Sequence, residues 1–206
     1  VRRYVRPAPS GVTSSPGAKT CTTSLTTCTV SGLINGTPYT FTVTAVNDAP
    51  VTTTSGGTTA YIENSSPLAI DTALTISDVD SADFNGGALT VTIAANGTIS
   101  DRLTVVPGGS VTVLGNTLSY SGTQVGTFSG GDNGSALVIS FNASSTPAIA
   151  QAIGRQVAFY NTSDNPSTAA RTVNFVMTDG DSGTSNTAQK TISVTAVADA
   201  PIAVND

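Results

Sequence analysis

From Tyr39 to Val46 the chain reads Tyr-Thr-Phe-Thr-Val-Thr-Ala-Val, with threonine at every second position. A period of two gives an extended strand one apolar and one hydroxylated face, and a helix would scatter the same residues around its circumference. The alternation returns at Leu68/Ile70, Leu74/Ile76, Leu89/Val91/Ile93, Val111/Val113, Leu118/Tyr120, Leu137/Ile139/Phe141, Val157/Phe159, Val173/Phe175/Met177 and Ile192/Val194. Gly, Asn, Asp or Ser turns separate these runs, so an all-β chain built as an antiparallel β-sandwich is predicted. One stretch breaks the rule. Thr146 can cap a helix, Pro147 fits its first turn, Ile149, Ala152 and Ile153 share a helical face and Gly154 can end it, which predicts one short helix near 146–154.

Composition narrows the chemistry. The 206 residues contain no His and no Trp, one Met and two Cys, so a Ser-His-Asp or Cys-His centre is excluded within this chain and an enzyme is not expected. Charge is unevenly placed: all 13 acids lie at or after Asp48, where they meet only Arg102, Arg155, Arg171 and Lys190, a local net charge of −9. Cations rather than nucleic acid are the expected partners of that region. The first 47 residues carry Arg2, Arg3, Arg6 and Lys19 without an acid, but with little aromatic interleaving they make a poor nucleic-acid or membrane arm. No run reaches the ~20 apolar residues of a membrane span, and Arg2-Arg3 is not followed by an apolar leader, so an export signal is expected outside this stretch.

An internal echo sets the organisation. Val43-Thr-Ala-Val-Asn-Asp-Ala-Pro-Val51 recurs as Val194-Thr-Ala-Val-Ala-Asp-Ala-Pro-Ile202, an offset of 151. Each copy is a strand end running into an Asp-Ala-Pro junction, where proline stops a ladder and stiffens the exit. The chain therefore reads as a window on a tandem array: residues 1–47 as one piece, 48–200 as a whole unit, and 201–206 as the start of the next.

The quoted residues carry a family likeness. Val46-Asn-Asp-Ala-Pro50, Tyr61-Ile-Glu-Asn64, Ile76-Ser-Asp-Val-Asp80, Ala136-Leu-Val-Ile-Ser-Phe141, Tyr160-Asn-Thr-Ser-Asp-Asn-Pro166 and Thr178-Asp-Gly-Asp-Ser-Gly183 together resemble a cadherin-like repeat of large bacterial surface proteins. That resemblance implies a spacer or adhesion module of cadherin/immunoglobulin-like sandwich fold, secreted or on the cell surface, with calcium bound by acidic residues at its junctions. Residues 11–47, with Ser14-Ser-Pro-Gly-Ala-Lys-Thr-Cys21 and Cys28-Thr-Val-Ser-Gly-Leu-Ile-Asn-Gly-Thr-Pro-Tyr39, resemble the middle and later strands of a fibronectin type III domain. Its first strands have no counterpart here, so a small incomplete sandwich piece is expected at the N-terminus.

Calcium takes six to eight oxygen ligands, which carboxylates on turns can supply. Asp78-Val-Asp80 with Asp83 beyond it is one cluster, and Asp179-Gly-Asp181 is another. Asp48 and Asp199 stand at the two junctions, and Glu63 is the only Glu of the chain; the resemblance implies that Glu63 meets the Asp-x-Asp turn. All of these residues also suit solvated turns. Asp132 and Asp164, in Gly/Asn/Ser turns, need no other explanation. Six sequons, at Asn35, Asn64, Asn96, Asn133, Asn142 and Asn161, are expected by chance in so Ser- and Thr-rich a chain. Cys21 and Cys28 have the spacing of a hairpin disulfide and lack the second ligand pair zinc would need, which points to an oxidising compartment. The functional expectation is a calcium-stiffened structural or adhesive module whose partners are neighbouring repeats or other copies. The alternatives are a filament subunit joined by β-strand complementation and a module binding surface glycans or proteins, the glycan reading requiring exposed Tyr4, Tyr39 or Tyr160.

Overall fold

The structure, a computed structural model, describes residues 10–23, 28–45 and 47–198. It begins with an antiparallel sheet of β1 (Ser10–Ser15), β2 (Thr20–Thr23) and β3 (Thr40–Ala45) in the order β2-β1-β3. Register divides its faces. Val12 lies opposite Val43 and Cys21, and Ser14 opposite Phe41, so these side chains share one face while Thr13, Thr40, Thr42 and Thr44 share the other. The threonine face is exposed, as the alternation predicts. A Cys21–Cys28 disulfide ties β2 to the segment 28–39, which contains no strand. Tyr39 Oη accepts the Ile34 N–H at 3.1 Å, the corner by which a tyrosine at the start of a strand holds the preceding loop in immunoglobulin-like sandwiches. Among the described residues these three strands pair only with one another.

The second group is larger. It comprises β4 (Val51–Thr53), β5 (Thr58–Ile62), β6 (Leu68–Ala69), β7 (Thr75–Ser77), β8 (Ala88–Ala95), β9 (Asp101–Val105), β10 (Val111–Leu114), β11 (Thr117–Tyr120), β12 (Thr123–Gly130), β13 (Leu137–Phe141), α1 (Pro147–Gly154), β14 (Val157–Asn161), β15 (Arg171–Thr178) and β16 (Ala188–Thr195). An eight-stranded sheet has the order β10-β11-β12-β13-β8-β15-β16-β5, and the opposing layer holds β6-β14-β9 and β4-β7. Every second residue of β15 is buried, and Leu89, Val91, Leu137, Ile139, Phe175 and Met177 join Leu103, Phe159 and Ile76 in one core. Tyr61 and Phe159 meet edge-on across the layers, ring centres 5.2 Å apart.

The all-β sandwich and the short helix are as predicted. Thr146 caps α1 by accepting the Ile149 N–H. Gly154, expected to end the helix, is its last residue and is needed for closeness: a Cβ there would collide with Leu74 and crowd Leu89 and Ile76. Two features depart from the expectation. The β5–β16 pair is parallel, because the chain changes layers between β4 and β5. Strands β9 and β12 lie outside the alternating runs, because β9 interleaves Asp101 and Arg102 with Leu103 and Val105, and β12 carries glycines at 126 and 130. Among the described residues no helix is long and apolar enough to cross a membrane.

Asp101 of β9 and Arg171 of β15 form an ion pair whose side chains are both 0% exposed, Nε to Oδ2 at 3.2 Å. Asn161 and the Thr98 N–H also donate to Asp101, while Arg171 donates to the carbonyls of Ser167 and Ala169. Arg171→Ala leaves a buried carboxylate short of its counter-charge. A loss of about 3–5 kcal/mol is expected in urea unfolding, far above an exposed ion pair.

Candidate metal sites at two poles

Strand register places the candidate carboxylates. β15 ends at Thr178, so Asp179 and Asp181 sit in the β15–β16 turn, at the end where β4 enters and β7 leaves. This upstream pole also holds Asn47, Asp48, Asp78, Asp80 and Asp83. Glu63 follows β5 at the other end, where its N–H bonds the Thr195 carbonyl at 2.9 Å. Thr195 lies three residues past the Ile192–Arg171 pair and Asp179 eight residues to its other side, so with about 3.3 Å per strand residue Glu63 and Asp179 are separated by roughly 35 Å. The implied meeting of Glu63 with the Asp78-Val-Asp80 turn within one unit is therefore corrected: β5 runs parallel to β16 and carries Glu63 to the downstream pole. Asp199 lies outside the described residues.

At the upstream pole Asp78 Oδ1 accepts the N–H groups of Asp80 and Ser81 at 3.1 and 3.0 Å, and Asp80 accepts the Asp48 N–H at 3.2 Å. Asp83 accepts the Asn85 N–H, a local turn bond. Two atoms are left over: Asp78 Oδ2 and Ser81 Oγ are buried without a partner. Burial first, then the neighbouring charges of Asp78 and Asp48, push the Asp80 carboxyl above its ordinary 3.8, while the Asp48 N–H works in the opposite sense.

Asp179 behaves differently. It is fully buried, and its carboxylate accepts the Asp181 N–H at 2.7 Å, the Gly183 N–H at 2.9 Å and the Asn47 amide at 2.6 Å. Its acceptor capacity serves the turn and the incoming linker. Gly183 is required here, since a Cβ would collide with Asp179 Oδ2 and Asn47 Nδ2. Asp181 is exposed. Sequence reasoning misses Asn47; its one signal is its place beside Asp48, where the second copy of the echo has Ala198.

At the downstream pole Glu63 is 4% exposed; Oε2 accepts the Val197 N–H at 2.7 Å, and Oε1 is buried without a partner. Among the described residues no three carboxylates converge as a finished metal site. Asp48 reaches Asp80 through its backbone N–H rather than its carboxylate, which accounts for three neighbouring acids without a closed ligand cage. Tyr39 and Tyr160 are half-buried, and Tyr4 lies outside the described residues. Comparison with protein families, curated proteins and solved structures gives no match to this chain.

Two outcomes are expected from these contacts. Asp179→Ala strands three donors and should cost about 2–4 kcal/mol; calorimetry with and without chelator should give the same loss, because the role is structural. For Asp80 the raised folded value means that the native state holds its proton more tightly than the unfolded chain. Its contribution to stability therefore falls as pH climbs from below 3.8 through the raised folded value, and stays low above it. Asp80→Asn, which keeps an oxygen for the Asp48 N–H, removes that term, so in chelator its melting temperature gains on the unsubstituted chain as pH rises towards neutrality.

Proposed function

We propose that this chain is a structural repeat module of an extracellular or cell-surface protein, stiffened by calcium held in half-sites at its two poles and completed by neighbouring repeats. Buried oxygens without partners carry the reading, since Glu63 Oε1 and Asp78 Oδ2 have been taken out of water with nothing given in return. A hard cation is what such oxygens suit, and the available donors are carboxylate, hydroxyl and carbonyl with no imidazole or free thiolate. Asp78, Asp80 and Ser81 would hold the ion at one pole and Glu63 at the other. Calcium there would neutralise the clustered charge and fix the linker leaving each pole.

The cadherin-like resemblance and the echo of the Asp-Ala-Pro junction support a tandem arrangement, in which the downstream pole of one unit abuts the upstream pole of the next. The Tyr39 corner supports the fibronectin-like reading of the N-terminal strands. A second reading, a filament subunit joined by strand complementation, is supported by the outer edge of β3. The chain beyond β3 is committed to the sandwich at Asn47 and so does not pair that edge. Filament growth would appear as concentration-dependent light scattering, and a chain that stays monomeric removes it.

Affinities usual for extracellular calcium sites, about 10⁻⁴ to 10⁻³ M, give roughly 0.4–1.4 kcal/mol per site at millimolar calcium. A rise of about 1–6 °C in melting temperature is expected at constant ionic strength. Glu63→Gln and Asp78→Asn should each remove part of it. An unchanged melting temperature, together with no heat of binding in titration calorimetry, would overturn the proposal.

A further inference from the structure

One face of the large sheet, β10-β11-β12-β13-β8-β15-β16-β5, supplies the core, and the other looks away from it. Register fixes which side chains lie outward. Leu114, Thr117, Thr127, Ser140, Ala88 and Thr178 form one row across six strands, and Ser129, Val138, Thr90 and Val176 form the next. None of these residues is buried. The eight strands contain two charged residues, Arg171 and Lys190, and both are buried on the inner side. Their aromatics, Tyr61, Tyr120, Phe128, Phe141 and Phe175, also pack on the core side. Every acid among the described residues lies on a turn, on a loop or on β9 of the opposing layer. The outward face is thus hydroxyl, methyl and amide across its whole width, although it belongs to a region of net charge −9. Apolar surface is open at both of its edges, where Leu114 on β10 is 84% exposed and Ile62 on β5 is 53% exposed.

We infer that this face is a lateral docking surface for a second copy of the chain, the two large sheets stacking face to face about a two-fold axis. Charge, chemistry and size select that occupant. Depletion of charge, rather than bulk hydrophobicity, distinguishes the centre of a protein–protein interface, and a neutral face offers no counter-charge to nucleic acid, anionic lipid or a metal ion. With no aromatic ring turned outward, there is no platform on which a sugar could stack. A hydroxyl both donates and accepts, so a face of threonines can satisfy itself against its own copy, as an isologous contact requires. Strands about 4.8 Å apart, with same-side residues about 6.7 Å apart, give about twenty outward positions roughly 650 Å². Two copies would then bury about 1,300 Å², inside the standard range of about 1,200–2,000 Å². Sheets of like twist stack with their strands about 30° apart, so the twist does not prevent the contact. Because the strands run from pole to pole, the contact lies along the side of the unit, leaves both poles free and needs no cation.

Sedimentation equilibrium of the full 206-residue chain in chelator tests this independently of the calcium reading. The mass is expected to climb from 20.5 kDa and level off at twice that value, with a dissociation constant of about 1–100 µM. Thr90→Lys, which sets a lysine and its symmetry twin in the middle of the contact, should weaken dimerisation by about tenfold or more without lowering the melting temperature of the monomer. If that variant does not fold, Ser140→Lys, at an exposed position in the neighbouring row, carries the test. Thr42→Lys, on the threonine face of β3, adds the same charge away from the large sheet and should leave the constant unchanged. A chain that stays monomeric up to about 1 mM would overturn the inference, and its sedimentation with an insoluble neutral polysaccharide would give the face to a different partner. A dimer that the Thr90 and Ser140 substitutions leave intact would overturn it too. So would a mass that grows past two copies, the mark of an open strand-to-strand filament.

Discussion

The two layers of the sandwich are joined at their downstream end by a charge taken wholly out of water. Asp101 belongs to the small sheet through β9 and Arg171 to the large one through β15, and neither side chain meets solvent. Burying such a pair is costly unless every remaining donor and acceptor is met. Asn161, the Thr98 N–H and two carbonyls of the 167–169 loop meet them. The pair thus sets the position of β9 against β15, of the loop before β15, and of the β5–β16 end from which Glu63 projects. In a chain with only 10% charged residues, two are spent on this joint.

The upstream end is closed by a different device. Three N–H donors, one of them from a side chain that arrives before β4, converge on Asp179, and the turn around them is so tight that position 183 admits no Cβ. A carboxylate can serve as the hub of a turn as well as a ligand, and the difference lies in whether its lone pairs are already used. Asp179 has its acceptors engaged by the fold, whereas Asp78 and Glu63 each keep one oxygen unengaged in a buried position. That contrast assigns different duties to acids that look equivalent in sequence.

How much was legible depends on the same distinction. Period-two alternation is written in single residues, so β3, β8, β13, β15 and the threonine face of the first sheet could be read directly. The helix and the Cys21–Cys28 clip rest on local spacing and were equally accessible. The remainder depends on partners distant in the chain. Asp101 and Arg171 are 70 residues apart, and nothing near either says that it is buried. The same holds for Asp71, which anchors Ser55, and for Lys190, whose ammonium meets Ser55 and Gly56 oxygens. The separation of Glu63 from Asp78 depends on β5 running parallel to β16, a choice made by the layer change between β4 and β5 and not by any residue within β5.

The echo takes on a sharper meaning beside these contacts. Val197, whose N–H is held by Glu63, corresponds through the offset of 151 to Val46, and Asp199 corresponds to Asp48. At the downstream junction the linker is gripped by a carboxylate of the unit it leaves. At the upstream junction residues 1–47 hold no acid, and the grip described there comes from the unit being entered, through Asn47 to Asp179 and the Asp48 N–H to Asp80. Ala198 stands where Asn47 would, and an alanine has no amide to offer a buried carboxylate. Similar junction sequences are thus held from opposite sides. On the proposed reading each joint keeps an unengaged carboxylate oxygen for a cation, Glu63 Oε1 downstream and Asp78 Oδ2 upstream, and the upstream joint adds a contact that needs no ion, the neutral amide of Asn47 on Asp179.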